Sequence, residues 1–268
     1  MAIDVATDLL ACPVCRSGLV VADGGLHCVN SHNFDLARQG YLNLLGGAEP
    51  ANADTAAMLA ARGRVHAAGI FAPLAAQLAT QLSGRMTILE VGSGTAYYLT
   101  RALGDDPVAV GVALDVSKAA AKVAAQADPR IAAVVADVWR PLPVRDRCLD
   151  AVLCVFAPRN LPEFARVLRP DGLLVVATPR PGHLAGLRDR HGLLEVPADK
   201  ADQLAAAASE FFELHDTRLL RRQVTVSAEL AADLIAMGPN AFHRVPEDVD
   251  GGAITIDVTV QTFRPLSS

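Results

Sequence analysis

Four soft metal donors stand close together near the start of the chain. Cys12-Pro-Val-Cys15 is followed, after twelve residues, by Cys28-Val-Asn-Ser-His32, two ligand pairs at zinc-finger spacing. A tight turn inside each pair brings both donor atoms to the same side. Four protein ligands complete a tetrahedron and leave no open position, so Cys12, Cys15, Cys28 and His32 predict a structural Zn2+ rather than a catalytic one. His27 lies beside Cys28 and competes for the fourth place; the separation of His32 from Cys28 gives the second pair more room to turn. A redox role for the Cys-x-x-Cys pair is weaker, because no strand-helix-strand pattern encloses it. Cys148 and Cys154 lie far downstream, and the five thiols together do not resemble a disulfide framework.

A second group of residues could cradle a nucleoside. Ile88-Leu89-Glu90-Val91-Gly92-Ser93-Gly94-Thr95-Ala96 reads as a strand entering a Gly-rich turn and then a helix, and the glycines let backbone approach a ligand closely. A dinucleotide fold would carry a third glycine where this chain has Tyr97, which is too bulky for that helix-to-strand packing. An acidic residue ahead of Gly-x-Gly is instead the pattern of S-adenosylmethionine-dependent methyltransferases. Asp115 closes the next strand, where a carboxylate can accept both ribose hydroxyls. Asp137 closes the third, within reach of an adenine amino group, and Val138 or Trp139 could cover the ring. Glu90, Gly92, Ser93, Gly94, Asp115, Asp137 and Val138 are therefore the expected S-adenosyl-L-methionine site.

These residues need a scaffold. Short β-branched runs at 87–91, 108–114, 131–136, 151–156 and 173–177 alternate with helical stretches at 96–103, 117–127 and 161–168. That is the rhythm of an α/β, doubly wound, mostly parallel sheet. Near the end, Ile254, Ile256, Val258 and Val260 alternate with Thr255, Asp257, Thr259 and Gln261, which predicts an antiparallel edge strand with one wetter face. Seven strands are expected, with a small N-terminal zinc-ribbon-like module ahead of them. Gly46-Gly-Ala-Glu-Pro-Ala-Asn52 reads as the linker, dividing the chain into residues 1–45 and 46–268. Helices should lead into the main domain from Thr55 to about Leu82.

Bulk properties set limits. A length of 268 residues allows one large domain and an appendage, and 51% apolar residues suffice for a core. No apolar run is long enough to cross a bilayer, and Met1–Leu10 carries Asp4 and Asp8 without a basic cluster, unlike a secretory signal. A cytoplasmic address and no membrane partner are expected. The net charge of −5 argues against wholly electrostatic nucleic-acid binding, yet of 24 basic residues only Lys118, Lys122 and Lys200 are lysine. Arginine forks phosphates and stacks on bases; a GC-rich coding sequence would give the same bias.

The fourth strand leads into Cys154-Val-Phe-Ala-Pro-Arg-Asn160, where doubly wound enzymes present substrate-facing residues. The Asn/Asp-Pro-Pro-aromatic run typical of exocyclic amine methylation is absent. Cys154, inside an apolar strand, reads as packing rather than as a pyrimidine-attacking thiol.

The zinc motif, Asn33-Phe-Asp-Leu-Ala-Arg-Gln-Gly-Tyr-Leu-Asn-Leu-Leu45, Phe156-Ala-Pro-Arg-Asn160, Ala177-Thr-Pro-Arg-Pro-Gly-His-Leu184 and Met237-Gly-Pro239 closely resemble the bacterial 23S ribosomal RNA guanine-N1 methyltransferases. The resemblance runs over nearly the whole chain. It implies a seven-stranded class I methyltransferase, a zinc module that recognises RNA, a 23S rRNA hairpin as partner, and a homodimer. The family spans housekeeping enzymes and macrolide-resistance enzymes of the tylosin and mycinamicin type, and 136–139 and 157–160 are closer to the latter. Its cofactor pocket falls on Phe71, Thr95, Ala96 and His183; Phe71 replaces a frequent Tyr, and Ala96 a frequent Gly. The expected reaction is methyl transfer to guanine N1, with Arg159 or Asn160 at the O6 and N1 edge and Phe156 and Pro158 shaping the slot for an unstacked base. Rival readings are a small-molecule methyltransferase and a non-catalytic zinc-bearing RNA-binding protein.

Overall fold

The computed structural model describes residues 3–22, 24–242, 246 and 248–266. A 3-10 helix, Asp4–Leu9, opens the chain. β1 (Leu19–Ala22), β2 (Gly25–Cys28) and β3 (Asn33–Asp35) then form a three-stranded antiparallel sheet. The short strand β4 (Leu42–Asn43) leaves this module and pairs with a strand of the main sheet. Two helices follow, α1 (Ala56–Ala67), capped by the Thr55 hydroxyl, and α2 (Ala72–Gln81), with proline in its first turn.

The alternation continues with β5 (Thr87–Val91), α3 (Tyr97–Ala102), β6 (Val110–Asp115), α4 (Lys118–Ala124), β7 (Ile131–Val135) and β8 (Leu149–Val155). Then come α5 (Leu161–Val167), β9 (Leu168–Pro179), α6 (Ala185–His191), α7 (Lys200–Ala208), β10 (Phe212–Val226), α8 (Ala228–Ala236) and β11 (Gly252–Pro265). The large sheet has eight strands in the order β10-β11-β9-β8-β5-β6-β7-β4. All neighbours from β9 to β4 are parallel, while β11 runs antiparallel to both β9 and β10.

Period-two burial drives this layering. In β5 and β6, Ile88 and Ala113 face a core shared with α1, α2, α3 and α8, whereas Leu89, Val91, Val112 and Leu114 face the other side. On that second side the sheet packs against α5, α7 and the zinc module: Ile3, Leu10, Leu19 and Leu26 share one apolar cluster with Leu89, Val112 and Val134. The module thus borrows the main core, which suits a segment too short to build its own.

Two features depart from the sequence reading. The sheet has an eighth strand, β4, whose two residues carry no readable periodicity. Residues 254–261 do form an antiparallel strand, but not the edge: β10 lies outside β11, and the wetter face is covered, with Asp257, Thr259 and Gln261 all buried.

Candidate active site

The zinc donors converge. The ligating atoms of Cys12, Cys15, Cys28 and His32 lie within 4.8 Å of one another, with His32 Nδ1 3.5 Å from Cys12 Sγ and 3.3 Å from Cys28 Sγ, and 3.6 Å between the sulfurs of Cys15 and Cys28. A tetrahedral zinc with bonds of about 2.3 Å to sulfur has ligand-to-ligand edges of roughly 3.7 Å, so the donor set fits that ion. Each knuckle turns through a left-handed residue, Arg16 and Ser31. His27 is engaged elsewhere, its Nε2 meeting the Ala22 carbonyl oxygen at 3.0 Å.

The second site is a cavity of about 760 Å³ at the carboxyl ends of β5 to β9, where the crossover direction reverses and open α/β sheets bind ligands. Gly92 and Gly94 both have positive φ, and a Cβ on Gly92 would lie 2.5 Å from the Ala157 Cβ. The turn can therefore be tight only as glycine. Asp115 is buried at the end of β6; its carboxylate accepts hydrogen bonds from Gly94 N and Ser117 N, both at 2.9 Å. Burial raises its pKa against those two bonds. Each oxygen retains a lone pair for a sugar hydroxyl.

Glu90 is 1% exposed and accepts from Leu99 N at 3.1 Å, capping α3 from below. Burial pushes its pKa up to about 8, so near neutrality it is chiefly a neutral acid. Ser93 Oγ, also buried, has no hydrogen-bond partner among the described residues. An orphaned hydroxyl, a glycine cradle and two strand-end carboxylates suit a polar nucleoside.

The far wall is aromatic. Phe71, Phe156 and His183 surround one corner, with centroids 6.1 Å apart for Phe71–Phe156 and Phe71–His183 and 5.5 Å for Phe156–His183. Such faces attract a desolvated cation. Phe156 and Leu184, both lining the cavity, hold positive φ, as does Ala96 behind the glycine turn; backbone strain of this kind gathers at functional sites. Burial, then the nearby Arg188 charge, brings the His183 pKa down to about 4. Its Nδ1 accepts from Asp257 N at 3.3 Å, so the neutral ring carries its proton on Nε2.

Of the other expected residues, Asp137, Val138, Pro158 and Arg159 line the cavity. Asp137 accepts from Trp139 N, and Val138 is buried while Trp139 is 66% exposed. Asn160 does not line it: its Nδ2 donates to the Val138 carbonyl at 2.8 Å, tying the loop after β8 to the loop after β7. Thr95 faces a smaller hollow with His66, and Ala96 is fully buried. Burial drives the Cys154 thiol up to about 12, and the thiol donates to backbone carbonyls of Ala157 and Pro158, a packing role.

Sequence reasoning passed over Arg62 and His66, and took Arg188 only as one of a crowd of arginines between 159 and 190 that could face RNA. Arg62 of α1 reaches Asp54 and the Met237 carbonyl and lies against Gly94. His66, one helical turn on, stacks on Tyr97 at 4.0 Å; their spacing along one helix face was the available signal. Arg188 is buried with Nε and Nη1 unpartnered among the described residues, its Nη2 donating to the Pro181 carbonyl.

Residues 10–49 match the family described as "RlmA, N-terminal", a zinc ribbon, and residues 88–172 match "Methyltransferase domain". Over 271 residues the chain is 40% identical to a Streptomyces fradiae protein named 23S rRNA (guanine(748)-N(1))-methyltransferase, covering 96% of this chain and 97% of that one. The chain belongs to the 23S rRNA (guanine-N1)-methyltransferase family. A Micromonospora griseorubida relative, provisionally named for the same activity, is 41% identical over 287 residues, with coverage of 96% and 97%. Among solved structures, the Bacillus subtilis YcgJ protein overlays with a TM-score of 0.49 at 14% identity, covering 72% of this chain and 98% of that one. As a member of the guanine-N1 methyltransferase family, the chain is an S-adenosylmethionine-dependent enzyme with a structural zinc. No helix among its described residues is long and apolar enough to cross a membrane.

Proposed function

We propose that this enzyme methylates N1 of a guanine in a 23S rRNA hairpin, with residues 1–45 serving as the RNA-recognition module. The supporting observation is 40–41% identity over nearly the full length to proteins named for guanine-N1 methylation of 23S rRNA, joined to a cavity whose glycine-lined floor opens onto Phe156, Pro158 and Arg159.

S-adenosylmethionine, when bound, supplies an electrophilic methyl group. Asp115 would hold the ribose, Asp137 and Val138 the adenine, and Gly92 and Ser93 the methionyl portion. Phe71 and Phe156 would face the sulfonium and keep water from it. The guanine enters from the β8 side. The guanine N1 that would accept this methyl group must lose its proton, which puts negative charge on O6. Arg159 is placed to stabilise that charge, with the loop carrying it braced by Asn160. Neither Glu90, which is protonated, nor His183, which presents an N–H, is set to take that proton. Alignment in the slot carries much of the acceleration.

Nucleoside mass spectrometry of 23S rRNA from cells with and without the gene tests the assignment. Loss of 1-methylguanosine is expected; an unchanged nucleoside profile rejects it. We further propose a macrolide-resistance role, on the likeness of 136–139 and 157–160 to that branch of the family. An unchanged macrolide susceptibility on deletion would refute it.

A further inference from the structure

Trp139 sits on the rim of the cavity with 66% of its surface open. The loop that holds it is braced. Asp137 accepts from Trp139 N at 3.0 Å, Arg140 N donates to the Asp137 carbonyl at 3.1 Å, and Asn160 donates to the Val138 carbonyl at 2.8 Å. Val138, buried beside Asp137, occupies the inward position that would cover an adenine ring. The indole is thus left facing outward from a rigid support.

The chain beyond it runs directly to the seam with the zinc module. Ala11 N donates to the Pro143 carbonyl, Leu10 bridges Val144, and Arg145 Nε donates to the Leu10 carbonyl. Trp139 is thus on the cavity rim and only four residues ahead of Pro143, which meets the metal-bearing module, with the exposed Arg140 next to it. A large, exposed planar ring on a braced loop, beside a guanidinium and on the chain path between two RNA-facing parts, matches the partner with flat faces and phosphates: an unpaired nucleobase.

We propose that Trp139 is a stacking platform for an unpaired base of the substrate hairpin, next to the guanine drawn into the cavity. This rests on the RNA reading above. Trp139 is the sole tryptophan of the chain, so its emission reports on this site alone. A transcribed 23S rRNA hairpin, titrated into zinc-loaded enzyme saturated with S-adenosylhomocysteine, should quench the emission, while S-adenosylhomocysteine by itself should leave it unchanged. Trp139→Ala should raise KM for the hairpin roughly 5- to 150-fold, with kcat and cofactor affinity near wild type. Trp139→Phe should recover most of the loss. Quenching by S-adenosylhomocysteine alone would place the indole over the cofactor and overturn the proposal. So would a silent emission, or an unaltered KM in Trp139→Ala, with a hairpin that the wild-type enzyme methylates. If the wild-type enzyme labels no hairpin at all, the RNA reading itself falls, and this inference with it.

Discussion

Glu90 offers a quantitative test of how the cavity floor is built. Burial holds its carboxyl near a pKa of about 8, against an ordinary 4.5. Between those values the folded protein keeps a proton that the unfolded chain releases. Stability therefore falls as pH rises through this window and levels off above the folded pKa. The histidines work the other way: His66 and His183 are both held near a pKa of about 4 by burial, against an ordinary 6.5. Their contribution rises with pH from about 4 and is complete near 6.5. From pH 6.5 to 8 the slope then belongs to the buried acids, and one and a half pH units at about 1.4 kcal/mol each give roughly 2 kcal/mol for Glu90. Glu90→Gln keeps an oxygen to accept from Leu99 N and carries no charge to desolvate. Urea unfolding of the zinc-loaded protein at pH 6.5, 7.25 and 8 should show wild type losing about 2 kcal/mol more than the variant. Parallel curves would refute the claim that Glu90 folds as a neutral acid.

Three further outcomes follow from the same geometry. Gly92→Ala forces a left-handed alanine and drives its Cβ into Ala157; about 2–4 kcal/mol of destabilisation is expected, read by thermal melting, together with cofactor binding too weak for calorimetry. Chelating the zinc should unfold the ribbon and expose Leu10, Leu19 and Leu26, seen as dye binding and loss of hairpin binding at a concentration where the metal-loaded enzyme is saturated. Arg188→Met removes a buried guanidinium with two unmade hydrogen bonds; the melting temperature should rise, by about 1–3 kcal/mol in stability, while RNA methylation drops if the charge is kept for substrate.

Much of this was readable in the residues. Two ligand pairs announce the zinc, and the Glu90–Gly94 run with Asp115 and Asp137 announces three successive strand ends. Such local signals survive because parallel strands buried on both faces must be short and apolar. What escaped detection depends on distance in sequence. β4 is two residues long and finds β7 some ninety positions away. β10 carries Arg218, Arg221 and Arg222 in a mostly exposed run without clean alternation, so nothing in it marked an edge strand. The choice between Val138 and Trp139, and the tether from Asn160 to Val138, turn on how two loops meet at the sheet's end. No spacing rule contains that information.

The segment joining the two modules does more than connect them. Pro50, Asn52, Ala53 and Asp54 form part of the wall of the cavity at the sheet's carboxyl end, and Asp54 is pinned by Arg62 and Ser117. The ribbon is therefore not a detachable attachment. Cutting the ribbon away near residue 54 would breach that cavity. The two halves are obliged to change together.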